Sequence, residues 1–174
     1  QANSTDKTKY RWADRWAKIE VGGRNFALST ATQTDGNQGR IYTLSSESLK
    51  WQTTQKLFLS FDYVASTNVN GFRLNRVIKY KNGTNDQWNF TTNDKVLGKE
   101  YIDTSLVKSG TYSQPWEWKP YTDSRTSDLI NEIFLNLNLE SGSSGTVVIS
   151  KLRVNTGTLS MDWLPAPEDT VYKT

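Results

Sequence analysis

The sequence predicts an all-β fold: an antiparallel β-sandwich of the jelly-roll kind, with little helix. Three observations lead there. Leu57, Leu59, Phe61, Tyr63 and Ala65 alternate with Phe58, Ser60, Asp62 and Val64, and Ile133, Leu135, Leu137 and Leu139 alternate with Phe134, Asn136, Asn138 and Glu140. A period of two puts each apolar set on one side of a strand. Reversal signals recur at Asn70-Gly71 and Asn82-Gly83, which favour tight turns, and at Ser141–Gly145, small and flexible enough to reverse the chain though too long for the tightest types. Only Ser127–Glu132 reads as helical. Many strands, frequent turns and little helix suit two packed sheets.

Taken in order, residues 1–23 read as an approach segment, with Val21-Gly22-Gly23 as a hinge. Residues 24–164 read as the sandwich, and 165–174, opening on Pro165-Ala166-Pro167, as an extended C-terminal connector. Within the sandwich, Arg24–Thr30 reads as a short strand and Thr32–Gly39 as turns. Arg40–Leu44 reads as a strand and Ser45–Ser48 as one turn. Leu57–Ala65, Phe72–Tyr80 and Gln87–Thr92, joined by the two Asn-Gly pairs, read as a three-stranded meander. Further strands are expected near 101–107, 111–118, 133–140 and 146–154. The last two read as a ribbon closed by Ser141–Gly145, with a leucine-rich core face and an amide-bearing opposite face.

With 174 residues the chain is long enough to bury a core without covalent staples. It has no Cys and no His. That removes disulfides, thiol nucleophiles and zinc–thiolate sites, together with the commonest general base. Lys and Arg number 21 against 18 Asp and Glu, and six of the basic residues but only three acidic ones fall in 1–24. The body is therefore neutral, which argues against nucleic acid as a partner. No stretch reaches the roughly 20 apolar residues of a membrane helix.

Seven Trp and eight Tyr are many for so polar a chain. Trp116 and Trp118, spaced about 6.6 Å along one side of an extended strand, with Tyr112 and Tyr121 nearby, offer flat apolar platforms for a sugar ring. The alternative is that one or both Trp cap the core. Arg73 and Asn75, on the polar side of Phe72–Tyr80, and the amides of Asn136 and Asn138 are placed to read hydroxyls or phosphates. The alternative there is a solvated strand face. Trp88 is a further platform or a core residue. Asp35, Asp62, Asp162 and Glu168 are the carboxylates available to a structural calcium ion, but no compact acidic loop gathers them. Asp62, Glu117 and Glu132 show no spacing that pairs two of them for glycoside hydrolysis. No cofactor is expected.

Two motifs bracket the body. Glu20-Val21-Gly22-Gly23-Arg24-Asn25-Phe26-Ala27-Leu28 and Met161-Asp162-Trp163-Leu164-Pro165-Ala166-Pro167-Glu168-Asp169 resemble the opening and closing motifs of carbohydrate-binding-type modules in tail and baseplate proteins of phages infecting lactococci and streptococci. The resemblance implies a jelly-roll sandwich in a virion that adheres without chemistry to a host cell-wall saccharide, with other tail or baseplate proteins as partners. It names no sugar. A purely structural decoration module is the main alternative. A glycan-degrading enzyme and a binder of polyanions through the basic residues of 9–18 are the others.

Overall fold

The computed structural model describes residues 23–31, 34–36, 39–50, 56–89, 100–117 and 130–170, by backbone alone at 34, 35, 50, 86–89, 116 and 117. Nine strands run through it: β1 (Thr34–Gly36), β2 (Gly39–Thr43), β3 (Lys56–Ala65), β4 (Gly71–Tyr80), β5 (Asn85–Asn89), β6 (Ile102–Asp103), β7 (Ser109–Glu117), β8 (Ile130–Leu139) and β9 (Val147–Thr156). They form two antiparallel sheets. One has the order β1-β9-β3-β7 and the other β2-β8-β4-β5, with β6 beside the start of β4. Each of the pairs β1/β2, β3/β4, β7/β8 and β8/β9 crosses from one sheet to the other, which is the jelly-roll winding.

The period-two pattern produces the core. Leu57, Leu59 and Phe61 on β3 and Val147 and Ile149 on β9 face Phe72, Leu74 and Ile78 on β4 and Ile133, Leu135 and Leu137 on β8, all buried in one cluster. Stacking two half-apolar sheets removes both apolar faces from water at once. Arg76 shares the inward side of β4, opposite Leu135, and is buried without interrupting the β4–β8 register.

Two expected ribbons are in fact crossovers. Gly145 and Gly142 carry the chain from β8 to β9 at φ +118° and +83°, but the two strands face one another across the core instead of pairing. Likewise β3 and β4 lie in different sheets, so 57–92 is no meander. Asn70-Gly71 misleads because Gly71 answers to crowding and not to a turn. A Cβ there would sit 3.2 Å from both the Ile102 carbonyl oxygen and the Tyr101 Cβ, which the backbone holds in place. Asn82-Gly83 is the true hairpin. Gly83 has φ +85°, the Asn82 side chain accepts from Thr84 N at 3.0 Å, and β4 pairs with β5.

Other expectations shift in detail. The strand near 101–107 shortens to Ile102–Asp103, and that near 87–92 begins at Asn85. Residues 130–132, expected in a helix, open β8. Arg24–Thr30 makes one isolated bridge, Ala27 to Leu44, because the chain turns at Ser29, whose φ is +60°.

That lead-in and the exit close on each other at one pole of the sandwich. The β3–β9 pairing shifts register between Ser60 and Asp62, and Lys151, in that bulge, has φ +52°. The extra residue reverses the alternation of β9. Val147 and Ile149 point inward before it; Leu152 and Val154 do so after it. Arg153 thereby turns away from the core, where its guanidinium donates to Gly23 O at 2.6 Å and to Asp162 O. Asn25 Nδ2 donates to Thr30 Oγ1 (3.1 Å), Leu152 O and Leu164 O (3.0 Å each). Its Oδ1 accepts from Ala27 N and Val154 N at 3.0 Å. Trp163 Nε1 donates to Thr30 Oγ1 at 3.2 Å. Beyond Pro165, Ala166 is fully buried, Glu168 accepts from Arg24 and from Ser45 Oγ, and Asp169 accepts from Ser29 N at 2.7 Å. Residues 165–170, read from sequence as connector, thus lie against the body.

Two outcomes follow for the clasp. Asn25→Ala leaves several buried groups without partners and is expected to cost about 2–4 kcal/mol, read as a lower denaturation midpoint; an unchanged midpoint would make the clasp incidental. Burial by itself would raise the Glu168 carboxyl, but hydrogen bonds from Ser45 and Arg24 outweigh it and hold the carboxyl below its ordinary 4.5. Its contribution is therefore complete above 4.5 and is lost as pH falls through the lower folded value. Glu168→Gln should flatten the fall of melting temperature with acid across that window, as thermal unfolding at stepped pH would read.

Candidate functional site

The outward side of the β2-β8-β4-β5 sheet gathers four of the residues singled out from sequence. Across β4 and β8 the register sets Arg73 against Asn138, Asn75 against Asn136, Val77 against Phe134 and Lys79 against Glu132. On the flanks, Arg40 lies beside Asn136 and Thr43 beside Phe134 on β2, while Asn89 and Gln87 of β5 lie opposite Asn75 and Val77. Alternation does this: since Leu135 and Leu137 must face the core, Asn136 and Asn138 must face away.

The cations of this face are engaged. Arg40 donates to both Glu132 oxygens (3.2 and 2.8 Å) and to Thr43 Oγ1 (2.7 Å), and its guanidinium lies 4.4 Å over the Phe134 ring. Lys79 Nζ is 3.9 Å from the same carboxylate. The Arg40 hydrogen bond is the chief reason that the Glu132 carboxyl titrates below its usual range. Arg73 pairs with Glu100 at 3.2 Å and lies 4.7 Å over the Tyr101 ring.

The amides are not all engaged. Asn75, only 2% exposed, donates through Nδ2 to Asn138 Oδ1 at 2.9 Å. Its own Oδ1 is buried without a hydrogen-bond partner, and so is the Oδ1 of Asn136 beside it. Arg73 Nε is in the same state. Unsatisfied buried polar atoms are few in folded proteins, and here three stand on adjoining positions of one face.

At the pole opposite the clasp, the face runs into a cleft of about 590 Å³ lined by Asn70, Glu100, Tyr101, Asp103, Ser105, Glu140 and Ser141. Glu100 and Tyr101, the partners of Arg73, form part of its wall. Asp103 is turned to its own loop, accepting from Ser105 N and Oγ at 2.9 and 2.6 Å.

The remaining expected residues are placed elsewhere. Tyr112 lies on the other sheet, its ring stacked 5.1 Å from Phe61, and burial pushes its phenol up. The structure does not bring it to the amide face. Trp116 stands opposite Leu57 in the register of β7 and Trp88 opposite Arg76 in that of β5; both are described by backbone alone. Trp118 and Tyr121 fall outside the described residues. Of the carboxylates weighed for calcium, Asp62 bonds Thr111 (2.6 Å) and Lys151 (3.3 Å) on the first sheet, whereas Glu168 belongs to the clasp. Among the described residues no group of three or more carboxylates is arranged to hold a metal ion.

Arg40, Glu100 and Tyr101 escaped the sequence reading, and Glu132 entered it only as a carboxylate without a hydrolytic partner. Their roles depend on pairing between strands far apart in sequence. The one legible hint was Arg40 at the head of an apolar strand.

No protein-family model matches the sequence, and no curated protein does. Among solved structures, the chain is similar to the tripod from the baseplate of bacteriophage Tuc2009, at 12% identity and a TM-score of 0.48, covering 86% of this chain and 60% of that one. It is also similar to the CBM22-1–GH10 modules of endo-1,4-β-D-xylanase 10B of Clostridium thermocellum, complexed with xylohexaose. There the identity is 7% and the TM-score 0.43, over 81% of this chain and 29% of that one. The chain thus spans less than two thirds of either protein chain.

Asn136→Leu is expected to leave the melting temperature unchanged or raise it, since it removes an acceptor that has no partner. A loss above about 1 kcal/mol would mean that the amide is satisfied in the folded protein.

Proposed function

We propose that this chain is a non-catalytic carbohydrate-binding module of a phage tail or baseplate protein, adhering to a saccharide of the host cell wall. The observation that carries the reading is the set of polar atoms without partners on the outward face of the β2-β8-β4-β5 sheet: Asn75 Oδ1, Asn136 Oδ1 and Arg73 Nε. Hydroxyl groups would supply what these atoms lack, because a hydroxyl both donates and accepts. The phage setting is supported by the resemblance of the two bracketing motifs. Their residues Arg24, Asn25, Trp163, Glu168 and Asp169 meet in one clasp, so the motifs have a shared structural task independent of any ligand.

Affinity per site is expected to be weak, with Kd from high micromolar to millimolar, roughly 4–6 kcal/mol, because a solvated sugar exchanges good hydrogen bonds for others nearly as good. Many copies on one virion multiply that into firm adhesion. Purified protein should be retained by cell-wall polysaccharide from a lactococcal or streptococcal host and release no reducing ends. Trp118→Ala should weaken retention with little change in melting temperature if that ring is a platform. Failure to bind any wall polysaccharide would favour a structural module. Release of reducing ends that Glu140→Gln abolishes would make it an enzyme.

A further inference from the structure

Resting on that reading, we propose that the face selects a neutral, hydroxyl-rich stretch of saccharide and rejects one carrying phosphate or carboxylate. The sequence left both open, since Arg73 suits a phosphate as well as a hydroxyl. The structure separates them by what is already satisfied. Arg40 and Lys79 share Glu132, and Arg73 is held by Glu100 and Tyr101. An incoming anion would meet a carboxylate already paired at each guanidinium, Glu132 at Arg40 and Glu100 at Arg73. The atoms without partners ask for something else. Asn75 Oδ1 and Asn136 Oδ1 are acceptors, and an anion, itself acceptor-only, has nothing to offer them. Two hydroxyls on neighbouring ring carbons donate to two neighbouring acceptors and can still accept from Arg73 Nε.

Asn136 is the more exposed of the two amides. It is only half-buried, and because its oxygen has no partner, rotation about its broad χ2 well breaks no hydrogen bond at that atom. Asn75 forms the floor beneath, held by Asn138. Along β4, each two-residue step from Asn75 to Arg73 to Gly71 advances about 6.6 Å, so a chain of sugars laid on this strand ends in the distal cleft. That cleft carries Glu100, Asp103 and Glu140 on its walls; Glu100 is paired with Arg73, and the charge of the other two opposes an anion and admits hydroxyls.

The test measures binding of the full chain, at low and high salt, to neutral wall polysaccharides and to phosphodiester- or uronate-bearing ones, with Asn136→Leu and Asn136→Asp beside the parent. The expected result is binding to a neutral polymer that salt barely changes. It should fall about tenfold in Asn136→Leu, whose melting temperature holds, and be kept in Asn136→Asp, which retains an acceptor. Preference for the anionic polymer, steeply weakened by salt, would overturn the proposal while leaving saccharide binding intact. So would neutral binding that Asn136→Leu does not alter in a folded protein. Binding to neither class would overturn both this proposal and the reading on which it rests.

Discussion

One buried amide holds the molecule's ends together. Asn25 has five hydrogen-bond partners around a single side chain, two of its three acceptors sharing one amide hydrogen: in the lead-in, in β9 on both sides of Arg153, and in the exit at Leu164. No apolar residue could do this, since buried backbone groups need hydrogen-bond partners. The geometry depends in turn on the bulge at Lys151. Without the extra residue β9 would keep its phase, Arg153 would point into the core, and neither Gly23 nor Asp162 would have its donor. A local irregularity in one strand thereby decides where the chain enters and leaves the sandwich.

That arrangement divides the molecule into two poles with a sheet face between them. The clasp occupies one pole, and the loops around Gly71, Tyr101 and Ser141 form the cleft at the other. The amide row lies on long central strands, β4 and β8, each ten residues long and paired on both sides. Groups carried on such strands are held more rigidly than groups on loops. Little reorganisation is then needed at Asn75 and Asn138 when a ligand arrives, which matters where the gain per hydrogen bond is small.

Charge on this face is spent internally. Arg40, Lys79 and Glu132 form one cluster, and Arg73, Glu100 and Tyr101 another, leaving polar but uncharged acceptors between them. Such exposed clusters add little to stability. Their effect is to orient the side chains around the amides and to cut the charge of Arg40, Arg73 and Lys79 by that of Glu132 and Glu100.

Alternation by itself determined which residues are core. Ile133, Leu135 and Leu137 are buried and Asn136 and Asn138 face away, because a strand has only two sides and the apolar one must leave water. It also settled the all-β class and the hairpin at Asn82-Gly83, where a positive φ demands glycine. Strand partners were not legible. The apolar faces of β8 and β9 satisfy each other as well across a core as they would side by side in one sheet, and only the whole winding chooses. Gly71 read as a turn because sequence does not distinguish a glycine needed for φ from one needed for space. The clasp was visible as two motifs but not as one structure, since more than a hundred residues separate Asn25 from Leu164 and only the closing of the sandwich brings them within 3.0 Å. For the same reason Arg73 read as a free cation until the fold set Glu100 and Tyr101 beside it.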